Sequence, residues 1–376
     1  MIITPRLALL HLSLCDGIGP VFIQQVLAAC NNEITQIYSW SLSDWTQRIN
    51  VAYTKGAQVI AHLSLFESLE QECAAMDRVG AEYVTLIDAQ YPIALRSIYA
   101  PPAVLYYRGS LETLNNAHAL AVIGSRAANN YGIRIIKDFV PDLVDAGFVI
   151  VSGGALGADS IAHKETLVSG GKTVAVLGSG LSHVAPRTNI RMFEDIIANE
   201  GTIVTPFAMN EEPFPGNFPS RNRIIAGLSR GCLVVQAAEK SGTRITANFA
   251  LQQGREVFVV PGQFDDPLSA GCHALARDGA TLVTSAADIC NELGVAQAPE
   301  QHSIIPTAIE AESVQKLTPL DHSPAARIKA AIRTPLSVEE IATQLNLEHD
   351  LVQQQLWDLQ WQGSVQQDFT GRWQSN

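Results

Sequence analysis

The stretch FVIVSGGALGADSIAH, Phe148 to His163, decides the fold. An uninterrupted apolar run ends at Ser152, two glycines turn the chain, and a segment of helical composition follows. A short run apolar at every residue suits a strand buried on both faces. Glycines after it suit the tight turn that sends the chain into a helix. The same cadence recurs on either side. LAVIGS (Leu120–Ser125) precedes it, and TVAVLGSG (Thr173–Gly180), GTIVTPF (Gly201–Phe207), GCLVVQAA (Gly231–Ala238) and EVFVVPG (Glu256–Gly262) follow. Each is separated from the next by a length that fits a helix. Strands alternating with helices imply parallel pairing through right-handed crossovers. The expected fold class is α/β, a doubly wound, extended Rossmann-like parallel sheet. Pro141 falls inside the first helical stretch and is expected to kink or shorten it.

Residues 1–78 read as helical. LALLHLSLCDGIGPVFIQQVLAAC sets a G-x-G turn between two apolar-periodic segments, as in a SAM or helix-hairpin-helix domain. Such a hairpin can hold a phosphate on its amides. Here the second helix opens VFIQQV without Lys or Arg, which favours packing over DNA contact. Residues 79–293 form the sheet domain, entered through the extended segments AEYVTLI and PAVLYYRG. Residues 294–323, rich in Pro, Gln, Ala and Ser and without a period, read as a linker.

Residues 324–376 carry three helical candidates and a hairpin, the order of a winged helix. Ala325–Arg333 comes first, and a capping box from Ser337 to Glu340 opens the second. HDLVQQQLWDLQWQG puts Val352, Leu356 and Leu359 on one face, and GSVQQDFTGRWQ follows as the hairpin. A helix reading the major groove would present Arg or Lys. This one carries Glu348, Asp350 and Asp358, so a protein partner is expected rather than duplex DNA.

The chain has 376 residues, 47% hydrophobic and 16% charged, which fits a globular protein of two or three domains. No run approaches the ~18 apolar residues of a spanning helix, and no membrane role is expected. His11 interrupts the apolar N-terminal patch, and no signal-peptide cleavage site follows. Six scattered cysteines without a C-x-x-C read as reduced core thiols, so a cytoplasmic location is expected and no metal is assigned. A net charge of −12 argues against nucleic acid in general. Most of that excess lies outside Ala121–Glu292, however. From Pro213 to Ala238, around FPGNFPSRNRIIAGLSRG, the chain carries Arg221, Arg223 and Arg230 and no acid. Arg221 and Arg223 are placed in a loop ahead of an apolar helix, facing something anionic.

Ligands of a doubly wound sheet bind at the carboxyl ends of its strands. GSRAANNYG (Gly124–Gly132), SGGALGADSIAH (Ser152–His163) and SGTRITA (Ser241–Ala247) are expected to bring three helix N-termini there, with their free amide donors. Arg126 adds a guanidinium fork suited to phosphate oxygens. The result is a polyanion site with room for more than one phosphate. Dinucleotide chemistry is excluded because GSRAAN lacks the second glycine of G-x-G-x-x-G and GSGLSH lacks the third. SGGKT fails as a P-loop because Thr166 stands where its first glycine belongs. Asp159, His163 and His183 taken singly are ordinary structural residues. No catalytic residue and no cofactor are assigned, and binding is favoured over turnover. The alternative is a nucleotide-processing enzyme using the same crevice, with Asp159 and His163 beside the glycines.

On VIGSR, VSGGALGADSIAH, GKTVAVLGSGL, FPSRNRIIAGLS, SGTRITANFALQQGREVFVVPG and GCHALARDGATLV, the chain resembles the DNA-processing protein A family (DprA, or Smf). The resemblance runs over essentially the whole chain. Ala158 replaces an isoleucine of the family pattern, SGTR replaces S-G-S-L, and Ala185 replaces the tyrosine before Pro186, altering one wall of the groove. The resemblance implies a cytoplasmic, homodimeric, non-enzymatic protein of natural transformation and competence. Such a protein binds and protects incoming single-stranded DNA and promotes loading of the RecA recombinase for DNA recombination. The DNA-binding positions it marks are Ser125, Arg126, Gly153, Gly154, Arg187, Phe214, Phe218, Arg221, Asn222, Arg223, Ser241 and Thr243. Single strands bind through phosphate neutralisation and stacking of bases on aromatic rings. Phe218, between Asn217 and Pro219, is the preferred stacking platform.

Overall fold

The computed structural model describes residues 2–31, 33–295 and, toward the C-terminus, 327–328, 331–332, 336–345, 347–361, 365–367 and 372–375. The expected linker lies outside the described residues except for Gly294 and Val295, as does most of the helical candidate at Ala325–Arg333. Contacts divide the chain into two compact units, Met1–Glu300 and Gln301–Asn376.

The first unit opens with five helices: α1 (Pro5–Ser13), α2 (Pro20–Ala29), α3 (Leu42–Arg48), α4 (Tyr53–Leu63) and α5 (Glu67–Val79). Local sequence sets their ends. The Thr4 side chain caps α1 with Pro5 in its first turn, Ser41 and Asp44 form a capping box on α3, and left-handed Gly80 stops α5. Lys55 Nζ donates to the Asp16 carbonyl at 2.7 Å, so the G-x-G hairpin is held by its own chain. Leu9, Leu12, Trp45 and Leu69 share one apolar cluster with Ala175, Leu177, Phe193, Ile203 and Met209 of the sheet region. The chain changes from helices to strands between Val79 and Glu82, and the core runs straight across that change.

A nine-stranded sheet follows. Its strands are β1 (Glu82–Thr85), β2 (Val104–Gly109), β3 (Ala119–Ile123), β4 (Val149–Ser152), β5 (Thr173–Val176), β6 (Thr202–Thr205), β7 (Gly231–Val234), β8 (Glu256–Val259) and β9 (Thr281–Leu282). Their spatial order is β1-β2-β6-β5-β4-β3-β7-β8-β9. The pairs from β6 to β9 are parallel, and β1 and β2 add an antiparallel margin. The connecting helices are α6 (Ile93–Arg96), α7 (Leu111–Leu114), α8 (Asn130–Asp145), α9 (Ala158–Val168), α10 (Ile190–Ala198), α11 (Asn217–Leu228), α12 (Gly242–Gln252), α13 (Ala270–Arg277) and α14 (Ala286–Glu292). α8 runs past Pro141 to Asp145, so the proline does not cut it short.

Alternate residues of the strands enter opposite cores. Leu120, Val122 and Ile150 pack with Ile136 and Phe139 of α8 and Ala158 and Ala162 of α9. Ile123, Val151, Val176 and Val204 pack with Ile224 and Ile225 of α11 and Ala247 of α12. From β3 the chain steps outward through β4 and β5 to β6, then returns through α11 to lay β7 on the other side of β3. The direction of winding reverses between β3 and β7, which opens a crevice at their carboxyl ends.

The second unit has α15 (Val338–Leu345), α16 (His349–Trp361) and an antiparallel ribbon of β10 (Val365–Gln367) and β11 (Trp373–Ser375). Ser337 and Glu340 make the capping box, and Leu336 bridges Trp373. Val352, Leu356 and Leu359 are buried together with Ile328, Ile332, Ile341 and Trp373. Among the described residues, all six cysteines are free, and no helix is long and apolar enough to cross a membrane.

Candidate nucleic-acid interface

A crevice of about 420 Å3 lies at the switch between β3 and β7. Gly124, Ser125 and Arg126 after β3 form one wall, and Ser241, Gly242, Thr243, Ile245 and Thr246 of α12 form the opposite one. Phe218, Pro219, Arg221, Asn222 and Ile225 of α11 close the end, and Ala155 and Asp159 reach the floor. The helix starts that line it belong to α9, α11 and α12. The start of α8 does not line it, which corrects the expected trio. Asn129 caps α8 through Tyr131 N and Gly132 N instead.

Arg126 is exposed, and no carboxylate pairs with it among the described residues. Its guanidinium lies 5.3 Å above the centre of the half-buried Phe218 ring. That geometry leaves most donors of the fork free for phosphate while fixing its plane. Phe218 thus already carries a cation on one face. Ser125 Oγ accepts from Ala127 N at 3.1 Å, Ser241 Oγ caps α12 through Thr243 N, and Thr243 Oγ1 donates to the Gly124 carbonyl at 3.1 Å. The last of these bonds joins the β3 loop to α12 across the crevice.

Arg221 and Arg223 are not in a loop. Both belong to α11, and their side chains go to different places. Arg221 is 4% exposed, and its Nη1 donates to the carbonyls of Gly153, at 2.6 Å, and Val176. Its Nε donates to Asn222 Oδ1 at 3.1 Å. Burial lowers its pKa to about 10, partly offset by the carboxylate of Asp159. The guanidinium therefore braces the floor, and its expected exposure to phosphate is corrected. Arg223 donates to the Ala100 carbonyl at 2.6 Å and lines a separate cavity with Ser13, Pro20 and Phe207. It does not face the crevice.

Gly153 and Gly154 are buried beneath the crevice and do not line it. A side chain on Gly153 would meet Asp159 Oδ2 at 2.6 Å and Arg221 Nη2 at 2.7 Å, so glycine there admits this pair. Gly157, at φ +77°, lets the start of α9 lie against the carbonyls of Ser125 and Arg126. Arg187 lines a neighbouring cavity, and Phe214, 61% exposed, stands outside both. Among the expected residues, Ser125, Arg126, Phe218, Arg221, Asn222, Ser241 and Thr243 meet at one site.

Asp159 sits in the first turn of α9, and its pKa is raised by burial against the opposing pull of Arg221. The pair is best described as a carboxylate and a guanidinium sharing the floor. His163, one turn on, is fully buried and hydrogen-bonds Thr173 Oγ1 through Nδ1 at 2.7 Å. Burial, then Arg221, lowers its pKa to about 3, so the ring is neutral and sealed from the crevice. Pro219, Ile245 and Thr246 were not singled out from sequence. Their signal was position, in the first turns of two helices that open on the switch point.

The fold and crevice define a class: a doubly wound α/β protein with an open crevice at its switch point. The family model of DNA recombination-mediator protein A matches residues 82–294, and the chain belongs to that family. It is 38% identical over 228 residues to the DNA processing protein DprA of Bacillus subtilis, covering 61% of this chain and 76% of the relative. It is 42% identical over 208 residues to the DprA of Streptococcus pneumoniae, covering 55% and 73%. The X-ray structure of DNA processing protein A from Streptococcus pneumoniae superposes with a TM-score of 0.67 at 34% identity, over 78% of this chain and 99% of that one. The Helicobacter pylori DNA processing protein A, solved for its single-stranded DNA binding mode, gives 0.51 at 30% identity, over 56% and 95%.

Proposed function

We propose that the chain binds single-stranded DNA in this crevice, protects incoming strands in natural transformation and promotes loading of the RecA recombinase. It does so as a cytoplasmic homodimer, without turnover and without a cofactor. The helices of residues 1–78 serve as a SAM or helix-hairpin-helix unit. The C-terminal helices and ribbon serve as a winged helix that meets a protein partner. The observation that carries the reading is the Arg126 guanidinium, unpaired and poised over Phe218 at the mouth between α11 and α12. A cation for phosphate beside an aromatic ring for a base is what an unpaired strand needs. The single-stranded DNA binding of the Helicobacter pylori relative supports the same reading.

Titrating a labelled oligothymidylate at several salt concentrations tests it. Log affinity is expected to fall linearly with log salt, and Arg126→Ala to reduce the slope by about 0.7, one phosphate contact on a single strand. Salt-independent binding, or none, contradicts the proposal. The competing enzyme reading draws on Asp159, which reaches the crevice floor. Nucleoside phosphates incubated with the protein are expected to be recovered unchanged by chromatography.

A further inference from the structure

A second cavity, of about 400 Å3, opens between the segment after β5 and the segment that leads into α11. Phe193 and Ile203 are buried and make an apolar floor, with Ile190, Ala185 and Pro213 at the sides. The rim is polar, with Arg187, His183, Glu194 and Glu212. The Glu194 carboxylate is already held by Arg108 through two bonds of 2.8 and 3.1 Å. Among the described residues, the side chains of Arg187, His183 and Glu212 have no hydrogen-bond or ion-pair partner.

This cavity adjoins the crevice. Asn189 Nδ2 donates to the carbonyls of Gly154, at 3.0 Å, and Ala155, at 3.4 Å. Ala155 lines the crevice, while Phe193 packs so close to Gly154 that a side chain there would lie 2.7 Å from its ring. Gly154 and Ala155 thus lie between the two cavities.

The chemistry selects the occupant. The unpaired Glu212 carboxylate and the apolar floor disfavour a phosphate inside the cavity, whereas a nucleobase offers a flat apolar face and a polar edge. Arg187, exposed at the rim, suits the phosphate attached to that base. We propose that this cavity is a base subsite for one nucleotide of the strand held in the crevice. Glu212 accepts a hydrogen bond from the exocyclic amine of the base. An ionised carboxylate only accepts. Cytosine presents an N4 amine to it, whereas thymine presents a carbonyl at the same position. The subsite therefore favours an amine-bearing base over thymine.

The inference rests on the single-strand reading, and its test separates the two. Fluorescence anisotropy with the full chain would use oligothymidylates carrying one cytosine moved stepwise along the strand. Cytosine at one position is expected to tighten binding roughly fivefold to tenfold. Glu212→Gln, at an exposed position, should level that preference, since an amide both donates and accepts. Ala185→Trp, which fills the cavity, should erase it. Equal affinity for every strand, or a preference that survives both variants, overturns the subsite and leaves crevice binding standing. Failure of all strands to bind overturns the single-strand reading itself.

Discussion

At the residue scale, His163 is a neutral imidazole sealed under the crevice floor. Its folded pKa of about 3 lies below the ordinary value of 6.5, so the unfolded chain binds a proton that the folded one refuses. Stability is complete above pH 6.5, falls as pH drops through that value, and goes on falling toward about 3. At pH 5 the loss is on the order of 2 kcal/mol. His163→Asn should flatten this acid limb, as followed by denaturant unfolding between pH 7 and 5. An unchanged limb would mean that other groups carry it. Arg221 shows what the sequence offered at this scale and what was missed. With Ile224, Ile225 and Leu228 it falls at positions i, i+3, i+4 and i+7 of α11, on the buried stripe. Arg223 falls off that stripe. Once the helix is recognised, the spacing separates the bracing arginine from its neighbour. Read as a loop, the two look alike.

At the element scale, α11 began earlier than its composition suggests. Pro213, Pro215, Gly216 and Pro219 together resemble a loop. Pro219 falls in the first turn, where its missing N–H has no intrahelical acceptor to lose. The central strands were legible because their runs are almost wholly apolar, as a sheet covered on both faces requires, whereas the short, half-exposed β9 left no such signal. The packing of the N-terminal helices on the sheet was not legible, because no local pattern encodes it. That packing includes Glu72 of α5, a carboxylate only 5% exposed. It accepts from Met209 N at 2.7 Å and from the Tyr106 hydroxyl, and burial raises its pKa. Met209 in turn accepts from Ser182 N at 3.0 Å, so one side chain fastens the segment leading to Phe214 and Phe218. Glu72→Ala leaves the buried Met209 amide without an acceptor, at a cost of about 1–3 kcal/mol. Unfolding should register that loss, and oligonucleotide affinity should fall with it. Glu72→Gln restores an acceptor and should recover most of both. A loss of stability with unchanged affinity would confine Glu72 to the core.

At the scale of the whole molecule, an acidic chain sets one exposed arginine, Arg126, without a carboxylate partner among the described residues, at the crevice. The net charge of −12 predicts weak attraction to nucleic acid at a distance, so the proposed binding would depend on the local site at close range. Every residue of the crevice lies in the unit Met1–Glu300. The alternation of apolar runs and helical lengths implied a parallel, doubly wound sheet with a site at its carboxyl edge, whereas the strand order that puts the switch between β3 and β7 came from the structure. Which side chains face that crevice depended on burial, which sequence periodicity reports only after helix limits are known. The most direct measurement is photo-cross-linking of a bromodeoxyuridine oligonucleotide to the full chain, with the adducts mapped on peptides. The account predicts adducts on the peptide that carries Phe214 and Phe218, diminished by high salt and by Arg126→Ala. Adducts confined to residues beyond Glu300, or indifferent to Arg126, would contradict it.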